Sequence, residues 1–154
     1  MNQTNKTRPA HNFSLFTISF SLIIMFTSVV SADLSRDGDI VTDSATGLQW
    51  QDDAVGDTME WREAISHCED DVSLGGHDDW RLPNINELKT IIDRSRTSPA
   101  IVSAFEHTSS SVYWSSTTLE NRHDNAWGVG FYGSYVGRGT KDNDLYVRCV
   151  RDGQ

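Results

Sequence analysis

Two cysteines, Cys68 and Cys149, constrain this chain more than any other feature. They are the only ones in 154 residues and stand 81 positions apart. In an oxidising compartment such an isolated pair forms a disulfide; elsewhere it stays as two free thiols, one of them reactive. The front of the chain bears on that choice. Lys6 and Arg8 precede an apolar run from Phe13 to Val30, and Val30 and Ala32 then stand at −3 and −1 of a cleavage site. This is the layout of a secretory signal peptide. The run holds 18 residues, several of them Ser or Thr, which is short for a membrane span. An uncleaved anchor is the alternative. We therefore expect residues 1–32 to be a signal peptide, residues 33–154 one secreted or periplasmic domain, and Cys68 to be bonded to Cys149. No Cys follows the cut, which argues against a lipid-modified N-terminus.

Cleavage removes two of the 13 Lys and Arg and none of the 22 acids, leaving 11 basic against 22 acidic residues, a formal charge of −11. A surface of that sign repels nucleic acid and anionic membranes, which are held by clustered cations. Neither is expected as a partner of the mature domain.

Along the mature chain, Ile40–Val41, a turn-forming DSATG, then Leu48 and Trp50 read as a β-hairpin, with Gly47 in the turn. Trp61, Ala64, Ile65 and Cys68 recur at helical spacing, so a first helix places Cys68 and Trp61 toward the core, with Asp57 or Thr58 as its cap. Gly75 and Gly76 stop that helix and open a turn. Pro83 fits at a helix start, and Asn84 with Glu87 forms a capping box for a second helix from about Ile85 to Asp93. Ile101, Val102 and Phe105 pack in a short apolar turn. From Ser111 onward strands dominate: SVYWSSTT; NAWGVGFYGSYVGRG, alternating Trp127, Val129 and Phe131 with a turn near Gly133; and DLYVRCVR, with Leu145, Val147 and Cys149 on one face. Hairpin, helices, then strands is an α+β order, with two helices on an antiparallel sheet. The bridge then ties helix one to the last strand.

Local rules leave His77, Asp78, Asp79, Trp80 and Arg81 of GGHDDWRLPNINEL unexplained. Consecutive His and Asp side chains diverge, no His pair has helical spacing and no CxxC exists, so no metal centre is expected. The structural reading makes Gly75, Gly76, Trp80, Arg81 and Pro83 a turn: Trp80 is buried with its N–H on backbone, and Arg81 pairs with Asp78 or Asp79.

The blocks IVTDSATGLQWQDD, MEWREAISHCE, LGGHDDWRLPNINEL, YWSST and VRCVR resemble, in order, those of the DUF1566 family, the C-terminal domain of the Legionella collagen-like adhesin. The resemblance spans about Asp39 to Arg151 and implies a C-type lectin-like fold, in which a disulfide joins the first helix to the final strand. Adhesin-type members bind sulfated glycosaminoglycans. Here Arg122, Arg138 and Lys141 are dispersed among Asp124, Asp142 and Asp144, a weak anion site. WRLPNINEL is also similar to a block of the formylglycine-generating enzymes, whose chemistry needs a cysteine pair.

The expected function is non-enzymatic recognition or adhesion. A glycan or protein surface is bound through the late loops by Arg122, Tyr132, Tyr135, Arg138, Lys141, Asp142 and Asp144, with no catalytic residues. No G-x-S-x-G occurs and both cysteines are committed. No cofactor is expected; calcium on Asp142, Asn143 and Asp144 is the alternative, although the EPN, QPD and WND triplets of calcium-dependent lectins are absent. The rival functions are an enzyme related to the formylglycine-generating group and an assembly or adhesin subunit, a homo-oligomer without a small ligand.

Overall fold

The computed structural model describes residue 1 and residues 34–153, so the signal-peptide assignment lies outside the described residues apart from Met1. The chain forms β1 (Leu34–Asp37), β2 (Ile40–Asp43), β3 (Leu48–Gln51) and β4 (Thr58–Met59). Helix α1 (Trp61–Ser66) runs into a π-helical turn at His67–Asp71, and α2 (Ile85–Thr90) follows. The rest is β5 (Val112–Leu119), β6 (Arg122–Gly130), β7 (Tyr135–Thr140), β8 (Leu145–Tyr146) and β9 (Val150–Asp152). This is an α+β architecture with few helices.

The strands make two sheets, not one. Their orders are β1-β2-β3-β9 and β4-β8-β5-β6-β7. The first is antiparallel throughout, whereas β5 and β8 of the second run parallel. The final segment, expected as one strand, breaks in two. Leu145–Tyr146 belongs to one sheet and Val150–Asp152 to the other, and the chain crosses between them at Val147, Arg148 and Cys149. Leu145, Val147 and Cys149 still share one apolar cluster, as their alternation predicts. The break arises because both flanks of the crossing are claimed. Gln51 N donates to Cys149 O at 3.0 Å, and Arg81 and Val150 exchange backbone bonds of 2.8 and 2.9 Å.

β5 separates two apolar clusters. Tyr113 faces one with Trp50, Leu88, Ile91, Val129 and Phe131; its neighbour Trp114 faces the other with Ala64, Trp80, Leu82 and the cysteines. Successive strand residues point oppositely, so two consecutive buried aromatics require cover on both faces. Burying Leu88 or Ile91 contributes roughly 1.5–3 kcal/mol each.

The β2–β3 hairpin forms as expected, with Val41 opposite Trp50 and Gly47 at φ +74°. The capping box is also present: Asn84 Oδ1 accepts from Asn86 N and Glu87 N, and Glu87 Oε2 accepts from Asn84 N at 2.8 Å. Helix α2 ends at Thr90 instead of Asp93, though Ile91 stays buried. Helix one differs more. Glu60, not Asp57 or Thr58, is its N-cap, without a side-chain cap, because Thr58 and Met59 pair with Tyr146 and Leu145. Its last turn widens into the π-turn, which carries Cys68 fully buried to Cys149. Trp61 is only partly buried. The helix has already ended before Gly75 and Gly76, whose φ of +63° and +78° serve the following turn alone.

At the junction lies a charged group that sequence patterning did not indicate. Asp52 is fully buried; it pairs with Arg36, lies 3.0 Å from Arg148 Nη1 and accepts Glu106 N at 2.8 Å. Arg148, 2% exposed, stacks over Phe105 at 4.5 Å and donates to Thr108 and to His107 O. Burial works against its charge, and the Asp52 carboxylate offsets this.

Two outcomes follow. Cys68→Ser with Cys149→Ser releases an 81-residue closure, and urea unfolding should show a loss of about 4 kcal/mol in the chain-entropy account. Asp52→Ala strands the buried Arg148 charge, and the same assay should show a loss of about 3–5 kcal/mol.

Candidate functional site

Hairpin β6–β7 carries most of the residues expected to bind a ligand, but it divides them. Trp127 pairs with Arg138, Gly130 with Tyr135 and Gly128 with Gly137. Alternation therefore turns Trp127 and Arg138 to the face of Val129, and Tyr135 to the opposite face. Arg122, Trp127 and Arg138 line a hollow of about 360 Å³ with Leu119 at the end of β5 and Glu120 and Asn121 of the β5–β6 turn. Both arginines are exposed and the indole is half-buried. Neither guanidinium takes part in an ion pair with a described residue. Arg122 and Arg138 thus converge, which corrects their reading as dispersed cations. A half-buried indole in one hollow with two guanidiniums lets a flat ring stack on the indole while the guanidiniums donate hydrogen bonds to its rim.

Tyr132 and Tyr135 do face outward, 50% and 54% exposed, with ring centroids 6.4 Å apart. Lys141 is no free cation. Its Nζ sits 3.8 Å above the Trp61 ring and donates to Thr118 Oγ1 at 2.9 Å, pinning helix α1 to β5. Asp142 and Asp144 are exposed in the β7–β8 turn, where Asn143 Oδ1 accepts from Thr140 Oγ1. Among the described residues, no three His, Cys, Asp or Glu side chains gather as a cation site requires. Trp127 is the residue that sequence reasoning missed. Its alternation with Val129 and Phe131 looked like core, but β6 carries it beyond the cover of α2.

The Gly75–Leu88 stretch is a clamp. Trp80 is buried and donates Nε1 to His77 O at 3.1 Å, as expected. Arg81 does not pair with Asp78 or Asp79. It grips Glu87 at 2.8 and 2.9 Å and reaches Asp152 at 3.0 Å, because its backbone is bridged to Val150 at the start of β9. Asp79 is held instead by Arg151, at 2.6 and 3.0 Å. Two arginines thus lace the turn to the last strand.

The family model of the Lcl C-terminal domain matches residues 39–151, well over half of the chain. The chain belongs to that family. No curated protein matches it. In this Lcl C-terminal domain the matched region includes the clamp, the disulfide and the β6–β7 hairpin.

The hydrogen bonds from Arg151 hold the Asp79 carboxyl below the usual aspartate range. Its stabilising effect is therefore complete above the unfolded value, about 3.9, and disappears as pH falls through the lower folded value. Urea midpoints across an acid titration should fall in that window, and Asp79→Asn should flatten this part of the fall.

Proposed function

We propose that this domain is an exported, non-enzymatic recognition module with a C-type lectin-like fold that binds carbohydrate in the Arg122–Trp127–Arg138 hollow. The hollow carries the reading. It combines a half-buried indole with two guanidiniums that form no ion pair among the described residues, in about 360 Å³, the mix of one apolar surface and a few converging donors that orients a small polar ligand. The flanking Glu120 and Asn121 add acceptors for hydroxyl groups.

Export is supported by the leader pattern in residues 1–32 and by a disulfide suited to an oxidising, secreted or periplasmic setting. The lectin-like assignment is supported by that bond running from the turn after helix one to the residue before the last strand. The non-enzymatic reading rests on the same bond. It occupies both sulfurs, leaving the formylglycine-type chemistry no thiol. Calcium has no part in the proposal.

A glycan array with the mature domain tests this. Binding should be unchanged by chelator and weakened by salt, and Trp127→Ala and Arg138→Glu should each lower affinity about tenfold. A blank array together with a stable trimer in light scattering would replace the proposal with an assembly subunit. Two titratable thiols in the folded protein would reopen the enzyme.

A further inference from the structure

The opposite face of the same hairpin carries a second feature. Tyr132 and Tyr135 do not stand off the sheet; they lie down on it. A Cβ on Gly130 would fall 2.6 Å from Tyr132 Cε1 and 3.2 Å from its Cδ1 and Cζ. A Cβ on Gly137 would collide with Tyr135 Cε1 and fall 2.8 Å from Cζ and 2.9 Å from Oη. Each ring therefore covers the bare Cα of a glycine. The two planes are within 27° and the centres 6.4 Å apart. With Tyr132 in the β6–β7 turn and Tyr135 at the start of β7, the nearly parallel rings form one aromatic plate with about half of each residue in solvent.

We propose that this tyrosine plate is a second binding site, for an extended neutral β-1,4-linked polysaccharide, independent of the arginine hollow. Sugars with equatorial hydroxyls present a flat face of axial C–H groups, which packs on an aromatic face, while the two phenol tips reach the hydroxyl rim. Two tiles suit consecutive rings of one chain. A protein partner would insert an anchor side chain into a pocket, and a flat plate resting on glycines offers none. The glycine seats also restrict both rings before any ligand arrives, so little side-chain freedom is lost on binding. Charge points the same way. Arg138, three residues beyond Tyr135, turns to the other face, and a domain of net −11 attracts no polyanion to an uncharged plate.

The test uses cellohexaose, xylohexaose and chitohexaose. In amide NMR of the wild-type domain, at least one should shift Gly130 and Gly137 and leave Arg122 unmoved, with an affinity insensitive to high salt. Tyr132→Ala and Tyr135→Ala should each weaken it about tenfold, and Tyr135→Phe much less. Gly137→Val, which keeps both tyrosines but lifts one ring, should weaken binding like Tyr135→Ala. The proposal is overturned if no oligosaccharide shifts those glycines, or if affinity survives in the doubly substituted Tyr132→Ala, Tyr135→Ala protein. It is equally overturned if the alanine variants change the mass in light scattering while sugar affinity stays the same, which would make the plate a protein interface.

Discussion

The crossing of residues 147–149 between the two sheets is the constraint on which the rest depends. β8 is held by β4 and β5, and β9 by β3, so these few residues lead the chain out of one sheet and into the other. The Cys68–Cys149 bond fixes the crossing to the end of helix one, and the Arg81–Val150 bridge fixes it to the start of helix two. Every helix thus reports to the same short segment. Loss of the crossing would separate the two apolar clusters that β5 divides.

That segment also explains why an ion pair is buried. Arg148 sits between Val147 and Cys149, and both neighbours face the disulfide cluster. Its own side chain is sent to the other side, beneath the loop of Phe105 and His107. Asp52 meets it there and also binds the backbone N–H groups of that loop. A buried ion pair adds little net stability compared with a well-packed apolar pair. Its effect here is to position the 105–108 loop against the sheet junction.

Both candidate surfaces are what the fold leaves uncovered. Helix α2 covers part of the β6 face, so Val129 and Phe131 are buried while Trp127 emerges beside Arg122 and Arg138. On the reverse face, glycines take the place of side chains, and two tyrosines lie over them. One hairpin thereby offers a charged hollow on one side and an uncharged plate on the other. The clamp at Gly75–Leu88 ties its turn to the last strand, since each of its charged groups that reaches β9 is answered by a partner there or within the turn.

Features with local causes were readable from residue order: the Gly47 hairpin, the Asn84–Glu87 box, the burial of Trp80 and Cys68, and the outward tyrosines. Each depends on neighbours within a few positions, where periodicity and capping act. Asp52 was not legible: it stands in the inward alternation of Leu48 and Trp50, but a lone acid in that register signals nothing until Arg148 is opposite. The partners of Arg81 and Asp79, the capture of Lys141 by Trp61, the division of the last strand and the convergence of Arg122 with Arg138 were decided by tertiary structure alone. Apart from Arg81–Glu87, six positions apart, these pairings join residues well separated in the chain, and one-dimensional order carries no signal of which distant charge or strand edge the packed core will place alongside.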